Sequence, residues 1–224
     1  MVNTVIFDMD GLMFNTERMT RGLWDEIGSE MGYTHVSAIM PETMGVRLED
    51  SEKIFARRFG PEFPYREFTA EYRKRFDRKI ETEGVPVKDG LLELLEYLKQ
   101  ENYVCAVASS TSRSKVLHYF EKAGVTDFFR KIICGDMVEK TKPDPQIYLT
   151  AAHEIGEAPE NCMVLEDSPN GCTAAYRAGM KTVMVPDLVQ PDAELRKILF
   201  ACIPSLRAAI PLLQKLREQE ASAR

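Results

Sequence analysis

The sequence predicts an α/β chain: an open parallel sheet covered by helices on both faces, plus a small inserted all-helical unit. Three observations predict it. Short, continuously apolar runs alternate with helical patterns through the second half of the chain, and strands apolar on both faces belong to parallel sheets buried by crossover helices. Between Thr16 and Glu83 no strand-like run interrupts the helical texture. The conspicuous acidic, hydroxyl and basic residues follow or closely trail the apolar runs, always in the same chain direction, which is where ligands of open parallel sheets gather.

The first run, Val5-Ile6-Phe7, ends in Asp8-Met9-Asp10-Gly11 and a turn from Leu12 to Asn15. Met19, Leu23 and Ile27 then recur at spacing four, and Tyr65, Phe68, Tyr72, Phe76 and Ile80 make a second apolar stripe of helical period. The basic residues Arg66, Arg73, Lys74, Arg75, Arg78 and Lys79 are interleaved with Glu67, Glu71 and Asp77, the pattern of a solvated helix face rather than a binding patch. Gly84 to Gly90, with Pro86 inside it, has the composition of a linker. The boundaries are therefore set at residues 1–14 and 87–224 for the sheet domain and 15–86 for the helical insert.

From there the pattern alternates. A helix bearing Leu91, Leu94, Leu95 and Leu98 precedes the strand Tyr103 to Ala108, and one with Val116, Leu117 and Phe120 precedes Lys131 to Cys134. Tyr148, Ala151, Ala152 and Ile155 mark the helix before the strand Cys162 to Leu165, and an alanine-rich helix from Asn170 to Ala178 leads to Lys181 to Val185. A last helix near Leu206 to Leu216 is expected on the sheet, with Glu218 to Arg224 frayed.

Composition excludes several classes. With 224 residues, 44% of them hydrophobic, the chain can bury a substantial core. A net charge of −6 leaves no electrostatic footprint for nucleic acid, so an anionic ligand must be attracted locally. No stretch approaches the roughly 18 apolar residues of a membrane helix, and the N-terminus enters a strand rather than the apolar region of a signal peptide. The expectation is a soluble, cytoplasmic monomer or weak dimer. Cys105, Cys134, Cys162, Cys172 and Cys202 form no Cys-x-x-Cys pair and are expected to be buried free thiols. His35, His118 and His153 are too scattered for a metal centre.

Four stretches carry chemistry: Asp8 to Gly11, Ser109, Lys142-Pro143 and Glu166-Asp167. Together they supply a carboxylate nucleophile, a second carboxyl able to act as an acid, a hydroxyl, a fixed cation and an acidic pair able to bind a metal. That combination points to phosphoryl transfer through a covalent aspartyl intermediate. A phosphate ester repels a carboxylate, so attack by Asp8 requires a divalent cation and fixed donors. Magnesium suits the need, being a hard ion that takes a few carboxylates, keeps waters and binds phosphate oxygen. Asp8, the backbone carbonyl of Asp10, and Asp167 with Glu166 nearby are its candidate ligands. Lys142 and Ser109 would hold the other phosphate oxygens, while Asp10 gives its proton to the leaving alcohol and later takes one from water. Taken singly, each motif also has a plain structural reading: Asp-x-Asp-Gly as a capped turn, Lys-Pro as a solvated lysine, Glu-Asp-Ser-Pro as a helix entry.

Phe7 to Glu17, Ser109, Lys142-Pro143-Asp144-Pro145 and Leu165 to Gly171 together resemble the haloacid dehalogenase superfamily. More narrowly they resemble its β-phosphoglucomutase-like phosphatases, and the likeness covers essentially the whole chain. It implies a Rossmann-like core, a helical cap inserted after the first motif, Mg2+, Asp8 as nucleophile and Asp10 as acid/base. Gly11 and Ser110 are expected among the substrate-binding residues. Superfamily dehalogenases lack the second aspartate of the first motif, so Asp10 favours phosphate over halide chemistry.

The departures matter too. Asn15 replaces the usual Asp, keeping an acceptor but losing the charge. Thr20 stands where true mutases carry a cap histidine, which argues against a mutase. Leu48 stands where the mutase has a sugar-phosphate-binding arginine, with the basic Arg47 one position away, and Arg113 replaces a substrate-contacting asparagine. Trp24 matches the mutase near the ligand, and reads equally as core packing of the cap. Gly45 and Arg47, between two cap helices, are expected to face Asp8, or alternatively to be a helix C-cap and a solvated first-turn residue. The expected function is hydrolysis of a small phosphorylated metabolite, possibly a sugar phosphate. A mutase-type phosphotransferase is the alternative enzyme, and a non-catalytic phosphometabolite-binding module the alternative of another class.

Overall fold

The computed structural model describes residues 1–43 and 48–222, with only the backbone of Leu48. In chain order these form β1 (Thr4–Phe7), α1 (Thr16–Glu30), α2 (Met40–Thr43), α3 (Leu48–Phe59), α4 (Tyr65–Glu83), α5 (Leu91–Gln100), β2 (Val104–Ser109), α6 (Arg113–Ala123), β3 (Lys131–Cys134), α7 (Gln146–Ile155), β4 (Cys162–Glu166), α8 (Pro169–Arg177), β5 (Lys181–Met184), α9 (Ala193–Ile198), β6 (Ala201–Cys202) and α10 (Ala209–Ser222). The chain divides into two compact units, one of Met1–Asn15 with Pro86–Arg224, the other of Thr16–Val85. None of the described helices is long and apolar enough to cross a membrane.

In the first unit all six strands are parallel, in the order β3-β2-β1-β4-β5-β6. The chain fills one side of β1 first, then crosses to the other, so β1 and β4 flank the switch point at which such sheets bind ligands. Val5, Ile6 and Phe7 are wholly buried, as a central strand covered on both faces requires. On one face Ile6, Ala106, Ala108 and Val164 meet Tyr148, Ala151 and Ala152 of α7 and Ala174 and Ala175 of α8, the small side chains letting those helices approach closely. The leucines of α5 expected at helical spacing, Leu91, Leu94, Leu95 and Leu98, are all buried, each worth roughly 1.5–3 kcal/mol.

Two stretches differ from expectation. The edge strand β6 was not anticipated, because two residues are too few to show a period. Residues from Glu218 onward continue α10 to Ser222 instead of fraying, and the Glu220 carboxylate accepts the Val2 N–H at 3.3 Å, tying the tail to the start of the chain. Four of the five thiols are buried and unpaired, while Cys202, on that edge strand, is exposed.

Thr16–Val85 is a helical unit built around aromatic rings. Phe55 of α3 stacks at 5.0–5.4 Å against Trp24, Phe63, Tyr65 and Phe68. Outside the rings, Arg75 of α4 reaches Glu26 and Glu30 of α1 and Glu71 of its own helix. The ends of the sheet unit that lead into and out of this insert are paired antiparallel. Phe14 bridges Val87, Asn15 N donates to Pro86 O at 2.8 Å, and Lys88 N donates to Met13 O at 2.9 Å. Lys88 also pairs with the buried carboxylate of Asp187 at 2.9 Å.

Candidate active site

The parallel register assembles the site. Phe7 lies level with Val107 on one side and Leu165 on the other, and the Asp8 N–H extends the ladder to Leu165 O at 3.1 Å. Asp8 therefore leaves the sheet beside Ser109 and Glu166, the last residues of β2 and β4. Lys142 arrives from the loop between β3 and α7. Its ammonium donates to Asp8 Oδ1 at 2.6 Å, to Glu166 Oε1 at 2.8 Å and to the Ala108 carbonyl at 3.2 Å. Three protons meet three acceptors, one from each of three adjacent strand ends.

The acidic pair divides its work. Glu166 is almost fully buried and both its oxygens are filled by protein donors. Tyr148 Oη joins Lys142 on Oε1 at 3.1 Å, and Ser168 gives N–H and O–H to Oε2 at 2.7 and 2.9 Å. Glu166, expected among the metal ligands, here braces Lys142 and the start of α8. Ser168 in turn caps α8 by accepting from Gly171 N at 3.1 Å, so the Glu-Asp-Ser-Pro stretch is a helix entry and a site motif at once. A Cβ on Gly171 would fall inside the Glu166 carboxyl group. Asp167 turns the other way, against the first motif. Gly11 has φ of +85°, a conformation L side chains avoid, and a Cβ there would strike the Asp167 carboxylate.

Asp10 is held by Thr111, whose hydroxyl donates to Oδ2 at 2.6 Å. Ser109 is buried, its Oγ accepting the Thr111 N–H at 3.1 Å, and Ser110 beside it is exposed. Arg113 begins α6, donates from its guanidinium to Ile132 O at 3.1 Å and from its N–H to Asp136. Those bonds tie α6 to β3 and its following turn, and give its expected substrate role no support. Trp24 lies in the aromatic cluster of the helical unit, 5.7 Å from Phe68 and 6.0 Å from Tyr72, which is its packing reading. Gly45 and Arg47 lie outside the described residues. Sequence reasoning missed Thr111 and took Tyr148 for an apolar helix residue; a phenol inside an otherwise apolar stripe was the available signal.

Burial is the largest influence on Asp8 and pushes its carboxyl from 3.8 up to about 8. Lys142 pulls it down, while Glu166 and Asp10 push it further up. Burial also works against the Lys142 charge, but Asp8 and Glu166 outweigh it and hold the ammonium well above its ordinary value.

A profile of the family described as haloacid dehalogenase-like hydrolase matches residues 5–185. The chain belongs to that family. YhcW of Bacillus subtilis is 33% identical over 190 residues, 84% of this chain and 86% of that one. Hexitol phosphatase B of Escherichia coli is 29% identical over 199 residues, 84% of each chain. The crystal structure of a HAD family hydrolase from Deinococcus radiodurans, with bound phosphate and sodium, matches with a TM-score of 0.81 at 26% identity over 96% of each chain. Within the haloacid dehalogenase-like hydrolases the chain is a phosphatase, a hydrolase of phosphoric monoesters.

Members of the family generally use magnesium. Among the described residues no three His, Cys, Asp or Glu side chains are grouped as a metal cage. The charges nonetheless fit. Lys142 pairs with Asp8 and Glu166, and burial, with smaller contributions from Glu166 and Asp10, raises the Asp8 carboxyl despite that ammonium, so a further cation there would favour the charged carboxylate. Asp8, Asp167 and the backbone carbonyl of Asp10 are the donors suited to such an ion.

Proposed function

We propose that the protein is a magnesium-dependent phosphatase that hydrolyses a small phosphorylated metabolite, a sugar or sugar-alcohol phosphate, through a phosphoryl group carried on Asp8. One observation carries the reading: the Lys142 ammonium is shared among Asp8, Glu166 and the end of β2. A buried cation anchored in that way is fixed beside the attacking carboxylate before substrate arrives, as electrostatic catalysis requires.

The Asp8 carboxylate attacks phosphorus as the bond to the leaving oxygen breaks, and Asp10 gives that oxygen a proton. Water then attacks the same phosphorus, Asp10 takes the water's proton, and the bond to Asp8 breaks. Such positioned proton transfer is worth about 10² to 10⁴ in rate. Ser109 donates its hydroxyl to a phosphate oxygen, and Lys142 balances charge through both steps. Magnesium, when bound, would supply the further positive charge that lets two anions meet. The substrate class rests on the name of hexitol phosphatase B, and the bound phosphate of the Deinococcus relative accords with it.

Hydrolysis is favoured over mutase chemistry by Thr20, whose hydroxyl is engaged with Tyr72 Oη at 2.8 Å and which offers no imidazole to deprotonate a sugar hydroxyl. The test is phosphate release from a panel of sugar, sugar-alcohol and other small phosphate esters with Mg2+, together with acid-quench trapping of phosphoprotein. Asp8→Asn should lower turnover by at least about 10⁴ and abolish the trapped phosphoprotein. A variant that keeps either would overturn the reading.

A further inference from the structure

We propose that Thr111 is the positioning residue for the proton-transfer step, holding Asp10 by one oxygen so that the other carries the proton. The inference rests on the reading of Asp10 as acid and base given above. An aspartate has two side-chain torsions to fix, and Asp10 is only partly buried, so burial alone does not fix them. The Thr111 hydroxyl restrains one oxygen, with a 2.6 Å bond to Oδ2, short as bonds to carboxylates are. Proton transfer requires the acid at hydrogen-bond distance from its partner, held to within about 0.5 Å of the productive geometry.

Thr111 is suited to this because its backbone is anchored independently of its hydroxyl. Its N–H donates to Ser109 Oγ at 3.1 Å, and its carbonyl accepts the Gly135 N–H at 3.0 Å. The hydroxyl is therefore presented from a fixed point between the phosphate-binding serine and the start of α6. A bond to that oxygen is compatible with both roles of Asp10. Oδ2 accepts from Thr111 whether Asp10 is the neutral acid with its proton on Oδ1 or the carboxylate left after the alcohol departs. The same hydrogen bond then orients the base that deprotonates water, with no re-pairing between steps.

Leaving-group dependence separates this role from a merely structural one. An alkyl phosphate expels an alkoxide that must be protonated, whereas 4-nitrophenolate leaves without help. The parameter to compare is kcat/KM, because it reports transfer to Asp8 and not the later hydrolysis common to both esters. Asp10→Asn, Thr111→Val and Thr111→Ser are assayed with 4-nitrophenyl phosphate and with the best alkyl ester of the panel.

Thr111→Val should lose about 10- to 100-fold on the alkyl ester and much less on the aryl ester, with Thr111→Ser recovering most of the difference. The aryl activity doubles as a check that the valine variant folds. Equal losses on both esters, no loss on either, or failure of the serine to rescue would overturn the role of Thr111. Asp10→Asn sets the reference. If it discriminates between the esters and Thr111→Val does not, the positioning role alone falls. If Asp10→Asn itself does not discriminate, the acid assignment falls and the inference with it.

Discussion

The strand ends of the sheet unit and the interior of the helical unit are built on opposite principles. At the strand ends, Lys142, Asp8 and Glu166 are buried charges whose partners are specified atom by atom. In the helical unit the interior is a cluster of rings around Phe55, and the charges, such as Arg75 with Glu26, Glu30 and Glu71, lie at its partly exposed surface. Ring packing has many near-equivalent solutions. A buried charge network has few, because each member removed leaves another unpaired. Sequence change should thus be costly in one unit and cheap in the other.

The contrast can be tested from its strongest side first. Replacing Lys142 by Met keeps the volume and removes the charge, leaving two buried carboxylates without their cation. Such losses cost about 3–5 kcal/mol, and denaturant unfolding should show a loss of that order together with a collapse of phosphatase activity. A variant as stable as the parent would dissolve the distinction. Gly171→Ala comes next, since its methyl would displace Glu166. Overpacking of about 1–3 kcal/mol should appear as a lower Tm and a lower kcat, and an unchanged kcat would show Lys142 to be independent of that brace.

A pH series sharpens the electrostatic side. Burial raises the Asp8 carboxyl from 3.8 to about 8, so between those values the folded state keeps a proton that the unfolded state has released. The sign follows: without metal, the contribution of Asp8 to stability falls as pH rises through that window. The Tm of the parent minus that of Asp8→Asn should therefore decrease from pH 5 to pH 8 in chelated buffer, and added Mg2+ should reverse the trend. A flat difference would refute the rise that burial imposes on Asp8. The smallest effect belongs to the helical unit: Arg75→Ala breaks a partly exposed network with Glu26, Glu30 and Glu71, leaves no buried charge unpaired, and should leave kcat intact and lower Tm less than Lys142→Met or Gly171→Ala.

The same contrast governs what the sequence made legible. Apolar runs such as Val5 to Phe7 and stripes such as Tyr65 to Ile80 announce themselves by period, and the ends of the runs located Asp8, Ser109 and Glu166. Which way a polar side chain turns is not periodic. Glu166 and Asp167 looked like one metal-binding pair, yet successive residues leaving a strand point to opposite sides, so one braces Lys142 while the other meets Gly11. Thr111 was invisible because its partner Asp10 lies 101 positions away in sequence and no local pattern links them. The edge strand β6 escaped because two residues leave no signature.

The antiparallel ribbon joining residues 13–15 to 86–88 has an evolutionary consequence. Because Asn15 and Pro86 are hydrogen-bonded neighbours, a two-residue hairpin turn could close the gap between them. Whatever is spliced in there enters and leaves the scaffold at a single point. Recombination could exchange the intervening segment, Thr16–Val85, wholesale, so that new inserts are tried while the inherited chemistry behind that junction stays intact.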